Sequence, residues 1–154
     1  MSDTRILIVM GSKSDTEAVS GCGEILQKFG IAFRREISSA HRNPAGTIDL
    51  VKKAEADGVK VIIAAAGMAA HLAGFIASHT ILPVIGVPLS GPALAGMDAL
   101  LSMVQMPAGV PVATMAVGSH GAKNAALLAI EILALSDSAL KVKLEAYRKE
   151  LAEG

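Results

Sequence analysis

Cysteine occurs once in this 154-residue chain, at Cys22, so no internal disulfide can form and the composition fits a reducing compartment. Aromatic residues are equally sparse at 3%, with no tryptophan, which leaves few flat faces on which bases could stack. Neither sign of charge dominates. Fourteen Lys and Arg balance fourteen Asp and Glu, so there is no electrostatic footprint for nucleic acid or an anionic membrane. Long hydrophobic runs are missing too: Ile6 to Met10 is too short for a signal sequence and breaks at Gly11. No later apolar run reaches a membrane span without Gly, Pro or polar interruption. No Cys/His or carboxylate cluster has the spacing of a metal centre, so metal-free chemistry is expected. These absences predict a cytoplasmic protein whose partners include neither nucleic acid nor membrane.

What the chain has in excess is apolar surface. Residues of that class make up 52% and mean hydropathy is +0.51, high for a small domain that must cover itself with polar groups. Two readings fit: burial between subunits, or a parallel sheet buried on both faces under Ala-rich helices. The length suits one domain over residues 1–154.

Strands and helices alternate along that domain. Arg5 to Met10 is a continuous apolar run, the mark of a strand buried on both sides. Thr16 to Phe29 has helical spacing through Val19, Ile25, Leu26 and Phe29, with Gly30 in the position after the helix. Gly21 and Gly23 weaken that helix by roughly 1 kcal/mol each relative to Ala, which predicts close packing against them by a sheet or a neighbouring subunit. Phe33 to Ile37 reads as a more polar strand, expected at an edge. Asn43 to Asp57 is a helix with Asn43 as cap and Pro44 in the first turn, and its apolar face includes Ile48, Leu50, Val51 and Ala54. Further strands are expected at Val59 to Ala65, Leu82 to Pro88 and Val112 to Val117. Helices are expected from about Leu72 through Ser78, up to Val104, over Ala122 to Leu135, and from a Ser136 or Asp137 cap to about Ala152. Five strands alternating with helices predict a doubly wound parallel sheet in a three-layer α/β/α architecture.

Three of the predicted turns carry chemistry. Ser38-Ser39-Ala40-His41-Arg42-Asn43-Pro44 lies between a strand's carboxyl end and a helix start, where ligands bind in open α/β sheets. Arg42 offers a fork of donors for phosphate or carboxylate, and His41 a group of roughly 6.5 ordinary pKa for proton transfer. The same residues also suit a capped surface loop. Gly11-Ser12-Lys13-Ser14-Asp15 follows the first strand, so its N–H groups and hydroxyls can hold an anion while Asp15 accepts from ribose hydroxyls. A tight turn capped by Ser14 or Asp15 explains it equally well. The loop Gly67-Met68-Ala69-Ala70-His71-Leu72-Ala73-Gly74 is nearly all small, which lets backbone approach a ligand closely around a single His71. His79 and His120 read as surface or interface residues. Met97, Met103, Met106 and Met115 read as core or interface filler.

Met10 to Asp15, Ser39 to Arg42, Ala66 to Leu72, and Val104-Gln105-Met106-Pro107 with Gly109 to Val112 together closely resemble the PurE family of purine biosynthesis. The likeness covers nearly the whole chain, and Gly118 and Lys123 to Ala129 extend it. Within the family it resembles class I, the N5-carboxyaminoimidazole ribonucleotide mutases, because His71 stands where class II carboxylases typically show an Arg-Ser-Asn pattern. Ala73 replaces a common Pro, and Met68 a frequent Gly.

The resemblance implies a flavodoxin-like fold, a homo-octamer and no cofactor. It implies that His41 transfers protons and that Ser12, Asp15 and Arg42 bind a ribonucleotide, with Arg42 and serine hydroxyls on phosphate and Asp15 on ribose. Gly11, Ser14, Ser39, Ala40, Gly67, Met68, Ala69, His71 and Leu72 complete the expected substrate site. In the implied mechanism a carbamate on the exocyclic amine loses CO2, which stays trapped until C4 of the imidazole attacks it. Two alternatives remain at this point: direct carboxylation of aminoimidazole ribonucleotide by a class II enzyme, and a non-catalytic nucleotide- or flavin-binding module, for which aromatic faces are scarce.

Overall fold

The computed structural model describes residues 4–154. Five parallel strands, β1 (Ile6–Met10), β2 (Phe33–Ile37), β3 (Val61–Gly67), β4 (Val84–Leu89) and β5 (Ala113–Thr114), form one sheet in the order β2-β1-β3-β4-β5. The helices are α1 (Ser20–Phe29), α2 (Pro44–Ala56), α3 (Leu72–Ala77), α4 (Met97–Val104), α5 (Ser119–Ala134) and α6 (Ser138–Glu153). Helices on both faces of a parallel sheet make the doubly wound arrangement expected from the alternating pattern, and the strand order is the flavodoxin-like one that the resemblance implies.

Alternation along each strand feeds two separate cores. Ile6, Ile8, Val61, Ile63, Ile85 and Val87 point to the face covered by α1, α5 and α6. Leu7, Val9, Ile62, Ala64 and Val84 point to the face covered by α2, α3 and α4, where Val51, Ala54, Ile76 and Met103 are buried. A strand sealed on both faces has no polar side, which is why β1 and β3 read as unbroken apolar runs. The polar β2 lies at the sheet edge, as its composition predicts.

Glycine placement explains the first helix. Gly30 ends α1 with φ +74°, the left-handed conformation that a side chain resists. A Cβ on Gly23 would collide with the Arg35 guanidinium, and one on Gly21 would come within 2.8 Å of Lys123 Cε. The close neighbours predicted for these glycines are thus β2 and α5 of the same chain.

Several boundaries differ from expectation. Helix α1 starts at Ser20, not Thr16, because Ser12 to Thr16 winds more tightly: Lys13–Asp15 is a 3-10 turn, and both N and Oγ1 of Thr16 donate to Lys13 O. Strand β3 spans Val61–Gly67 against the expected Val59 to Ala65, a shift of two residues toward the loop. Strand β5 is two residues long, not six: Met115 N still donates to Gly86 O, but the chain then leaves the ladder so that Gly118 N reaches Pro88 O. Helix α5 starts at Ser119, with Gly118 as its N-cap, which brings His120 onto the helix. At the last helix Asp137 is the cap, accepting from Leu140 N at 3.2 Å.

Candidate active site

In a sheet of this order the chain turns back between β1 and β3, and the loops that follow those strands splay apart at their carboxyl ends. A cavity of about 600 Å³ opens there. The loops after β1, β2, β3 and β4 line it, and all thirteen residues nominated from sequence face it. A cavity of this size suits a mononucleotide-sized ligand.

Each loop is held differently. After β1, Ser12 is the N-cap of the 3-10 turn, in place of the Ser14 or Asp15 expected, and Asp15 reaches back to accept from Ser12 N at 2.9 Å. The Ser12 and Ser14 hydroxyls meet at 2.5 Å, one donating to the other, so two hydroxyl groups converge on one spot at the cavity wall. After β2, Asn43 Oδ1 accepts from Gly46 N at 3.0 Å, Asn43 N donates to Ser39 O at 2.8 Å, and Arg42 N donates to Ser39 Oγ at 3.3 Å. Ser38 and Thr47 hydroxyls, 2.6 Å apart, pin the start of the loop to α2. His41 and Arg42 project from this braced turn and are exposed. Arg42 makes no ion pair among the described residues, which leaves its guanidinium free for an anion.

The loop after β3 has almost no side-chain bracing. Ala70 N and His71 N donate to Met68 O and Ala69 O, both at 2.8 Å, and Met68 sits at φ +58°. A left-handed conformation is unusual for a residue with a Cβ, so Met68 occupies a position whose backbone favours glycine. That is the position where the resemblance noted a frequent Gly. Its side chain is 73% exposed at the cavity wall.

The decisive contact joins two loops. The rings of His41 and His71 stack with centroids 3.7 Å apart and planes inclined by 28°. Burial, and secondarily the charge of His41, hold His71 below the ordinary histidine value of 6.5. His71 is therefore the ring of the two that resists a proton.

Sequence reasoning missed the fourth loop. Leu89, Ser90, Gly91 and Pro92 line the cavity. The signal was present, since every strand of a parallel sheet ends on the same edge and β4 is no exception. Two of the sequence motifs lie elsewhere: Gln105-Met106-Pro107 follows α4 outside the cavity, and His79 and His120 are exposed away from it.

Comparison with known proteins agrees with this geometry. The family model described as AIR carboxylase matches residues 5–154. The chain belongs to the AIR carboxylase family. It is 52% identical over 148 residues to the N5-carboxyaminoimidazole ribonucleotide mutase of Brucella melitensis, spanning 96% of this chain and 91% of that protein. The mutase of Escherichia coli K12 is 49% identical over 145 residues, spanning 94% and 86%. That of Pyrococcus horikoshii is 52% identical over 144 residues, spanning 94% and 80%. The crystal structure of Treponema denticola PurE superposes with a TM-score of 0.88 at 32% identity, covering 96% of this chain and 91% of that one.

Proposed function

We propose that this AIR carboxylase family member is an N5-carboxyaminoimidazole ribonucleotide mutase of class I, forming one domain, moving the carboxylate from the exocyclic amine to C4 without a cofactor. The observation that carries the reading is the His41–His71 stack inside a cavity that also presents paired serine hydroxyls and an Arg42 without an ion pair among the described residues. An anion holder, a ribose acceptor and a proton carrier meet in one site.

Arg42 and the Ser12 and Ser14 hydroxyls bind the phosphate, and Asp15 the ribose. Asp15 spends one oxygen on Ser12 N and keeps the other for a ribose hydroxyl. Gly11 and Gly67 let backbone come close, while Ser39 and Ala40 hold the turn that aims His41. The chemistry runs in two steps. His41 begins protonated; as the N–C bond of the carbamate breaks, the electron pair returns to nitrogen and His41 supplies the proton. CO2 stays beneath Met68, Ala69 and Leu72. The ring carbon C4 then attacks CO2, and the now neutral His41 takes the C4 proton, restoring both aromaticity and its own starting state. A neutral His71 stacked on His41 serves both steps, because it accommodates the charged and uncharged partner without competing for the proton.

We further propose a homo-octamer in the cytoplasm. Support for self-association comes from the outer face of α4, where Met97, Leu101 and Val104 recur at helical spacing beside Leu94, all 48% to 60% exposed. No helix of the described residues is long and apolar enough to cross a membrane.

Two parallel assays test the activity, one supplying the carbamate at low bicarbonate and the other aminoimidazole ribonucleotide with bicarbonate, both followed at the absorbance of the 4-carboxylated product. Conversion of the carbamate above its spontaneous breakdown is expected. Turnover of the second substrate alone keeps the family and moves the reaction to class II, and silence in both overturns the enzymatic reading.

A further inference from the structure

The His41–His71 stack continues away from the cavity. Phe75, one helical turn after His71 on α3, meets the His71 ring in a T-shaped contact, centroids 5.8 Å apart and planes at 65°. His79, one turn further, lies 4.6 Å from Phe75 at 39°. Four rings, one from the turn before α2 and three along α3 and its flanks, therefore form one column.

Helix geometry builds the column. Residues four apart share a face, and Phe75 N donates to His71 O at 2.8 Å, which locks the two positions together. The far end is anchored as well. His79 Nδ1 lies 2.8 Å from Phe75 O, and because a carbonyl only accepts, His79 donates from that nitrogen; Ser78 Oγ donates to the same carbonyl at 2.7 Å. Phe75 is half-buried against the core that holds α3 to the sheet. Its ring cannot drift without disturbing that packing. His71, by contrast, sits in the least braced loop of the site and has no side-chain hydrogen bond of its own among the described residues. Something other than a hydrogen bond must fix its plane, and Phe75 is the rigid group in contact with it.

We propose that Phe75 is a positioning residue for carboxyl transfer: packed edge to face with His71, it holds that ring in the plane on which His41 stacks. Edge-to-face contacts between rings are directional, so an aliphatic side chain of similar volume fills the space without setting the angle. The inference rests on the proposed mutase activity, and its test separates the two.

The test compares Phe75→Leu, Phe75→Ala and Phe75→Tyr in the full-length protein. In the carbamate assay, loss of the ring lowers kcat by roughly tenfold to a hundredfold, the upper end being the scale of a misplaced catalytic group, while KM stays within about twofold. Phe75→Tyr keeps the ring and recovers kcat to within about twofold of the parent. Imidazole NMR signals supply a second readout independent of turnover, with His41 and His71 assigned through His41→Asn and His71→Asn. In Phe75→Leu the His41 signal moves although Phe75 stacks on His71 and not on His41. A Phe75→Leu protein with parental kcat and an unmoved His41 signal overturns the proposal. A parent chain that turns over neither substrate overturns the mutase reading instead, and the NMR comparison then decides alone whether Phe75 sets the histidine pair.

Discussion

The two histidines of the stack are presented by loops built in opposite ways. The turn bearing His41 is braced by an Asn43 cap, by Ser39 contacts and by the Ser38–Thr47 pair. The turn bearing His71 is a run of small residues held by its own backbone, with Met68 forced into a left-handed conformation. Under the proposed function, the first design fixes the reactive His41 on rigid supports. The second brings bare backbone close to a ligand and closes a small space. The proposed mechanism gives chemistry to the first loop and enclosure to the second, so substitutions in each are expected to fail differently.

The largest effect is expected at His41. His41→Asn lowers kcat by roughly a hundredfold to ten-thousandfold, the usual worth of a general acid–base group, while ribonucleotide affinity measured by calorimetry is nearly kept. Lost affinity with an intact fold makes His41 a ligand holder and erases the contrast between the loops. Arg42→Ala comes next: an anion that loses a charged hydrogen bond binds about 1.5 to 3 kcal/mol more weakly, with a smaller change in kcat. Unchanged affinity contradicts its phosphate role.

The His71 loop responds through its backbone. Met68→Val puts a β-branched residue at φ +58° and costs about 1 to 3 kcal/mol of stability, read as a fall in Tm, whereas Met68→Gly fits the conformation and keeps the fold. A valine variant as stable as the parent removes the strain from the account. On the braced side, Asn43→Ala loses a helix cap worth about 1 kcal/mol, a Tm shift of roughly 2 to 4 °C for a chain of this size.

The smallest effect is in pH. The Arg34 guanidinium, with Lys53 second, holds the Asp57 carboxyl below its ordinary value of 3.8, and the pair ties β2 to the end of α2. A depressed carboxylate contributes stability that is complete above the ordinary value and is lost as pH falls through the folded one. Acid unfolding of Arg34→Met should therefore be less steep than that of the parent at low pH. Identical profiles dismiss the pair as a support.

Much of this contrast was legible in the sequence. Asn43-Pro44 announces a capped helix start because both residues act locally, and the Ile6 to Met10 run announces a buried strand because no polar side exists to interrupt it. Residues that act through the sheet were harder to read. Ser90 and Gly91 belong to the site only because β4 ends on the same edge as β1, which is a matter of topology. The same holds for β5, whose apolar pattern from Val112 to Val117 says nothing about the ladder ending at Met115. The stack of His41 on His71 joins positions thirty residues apart, and no spacing rule reaches that far. Met68 was visible as a departure from glycine, but its consequence needed the backbone angle.

The most direct test of enclosure follows the carbon itself. Carbamate labelled with 13C in its carboxyl group is converted in unlabelled bicarbonate, and the label in the 4-carboxylated product is measured by NMR before bulk exchange occurs. If the His71 loop closes over CO2 while His41 moves the protons, the product retains the label. Product carrying carbon from the medium shows that CO2 escapes between the two steps and contradicts the account.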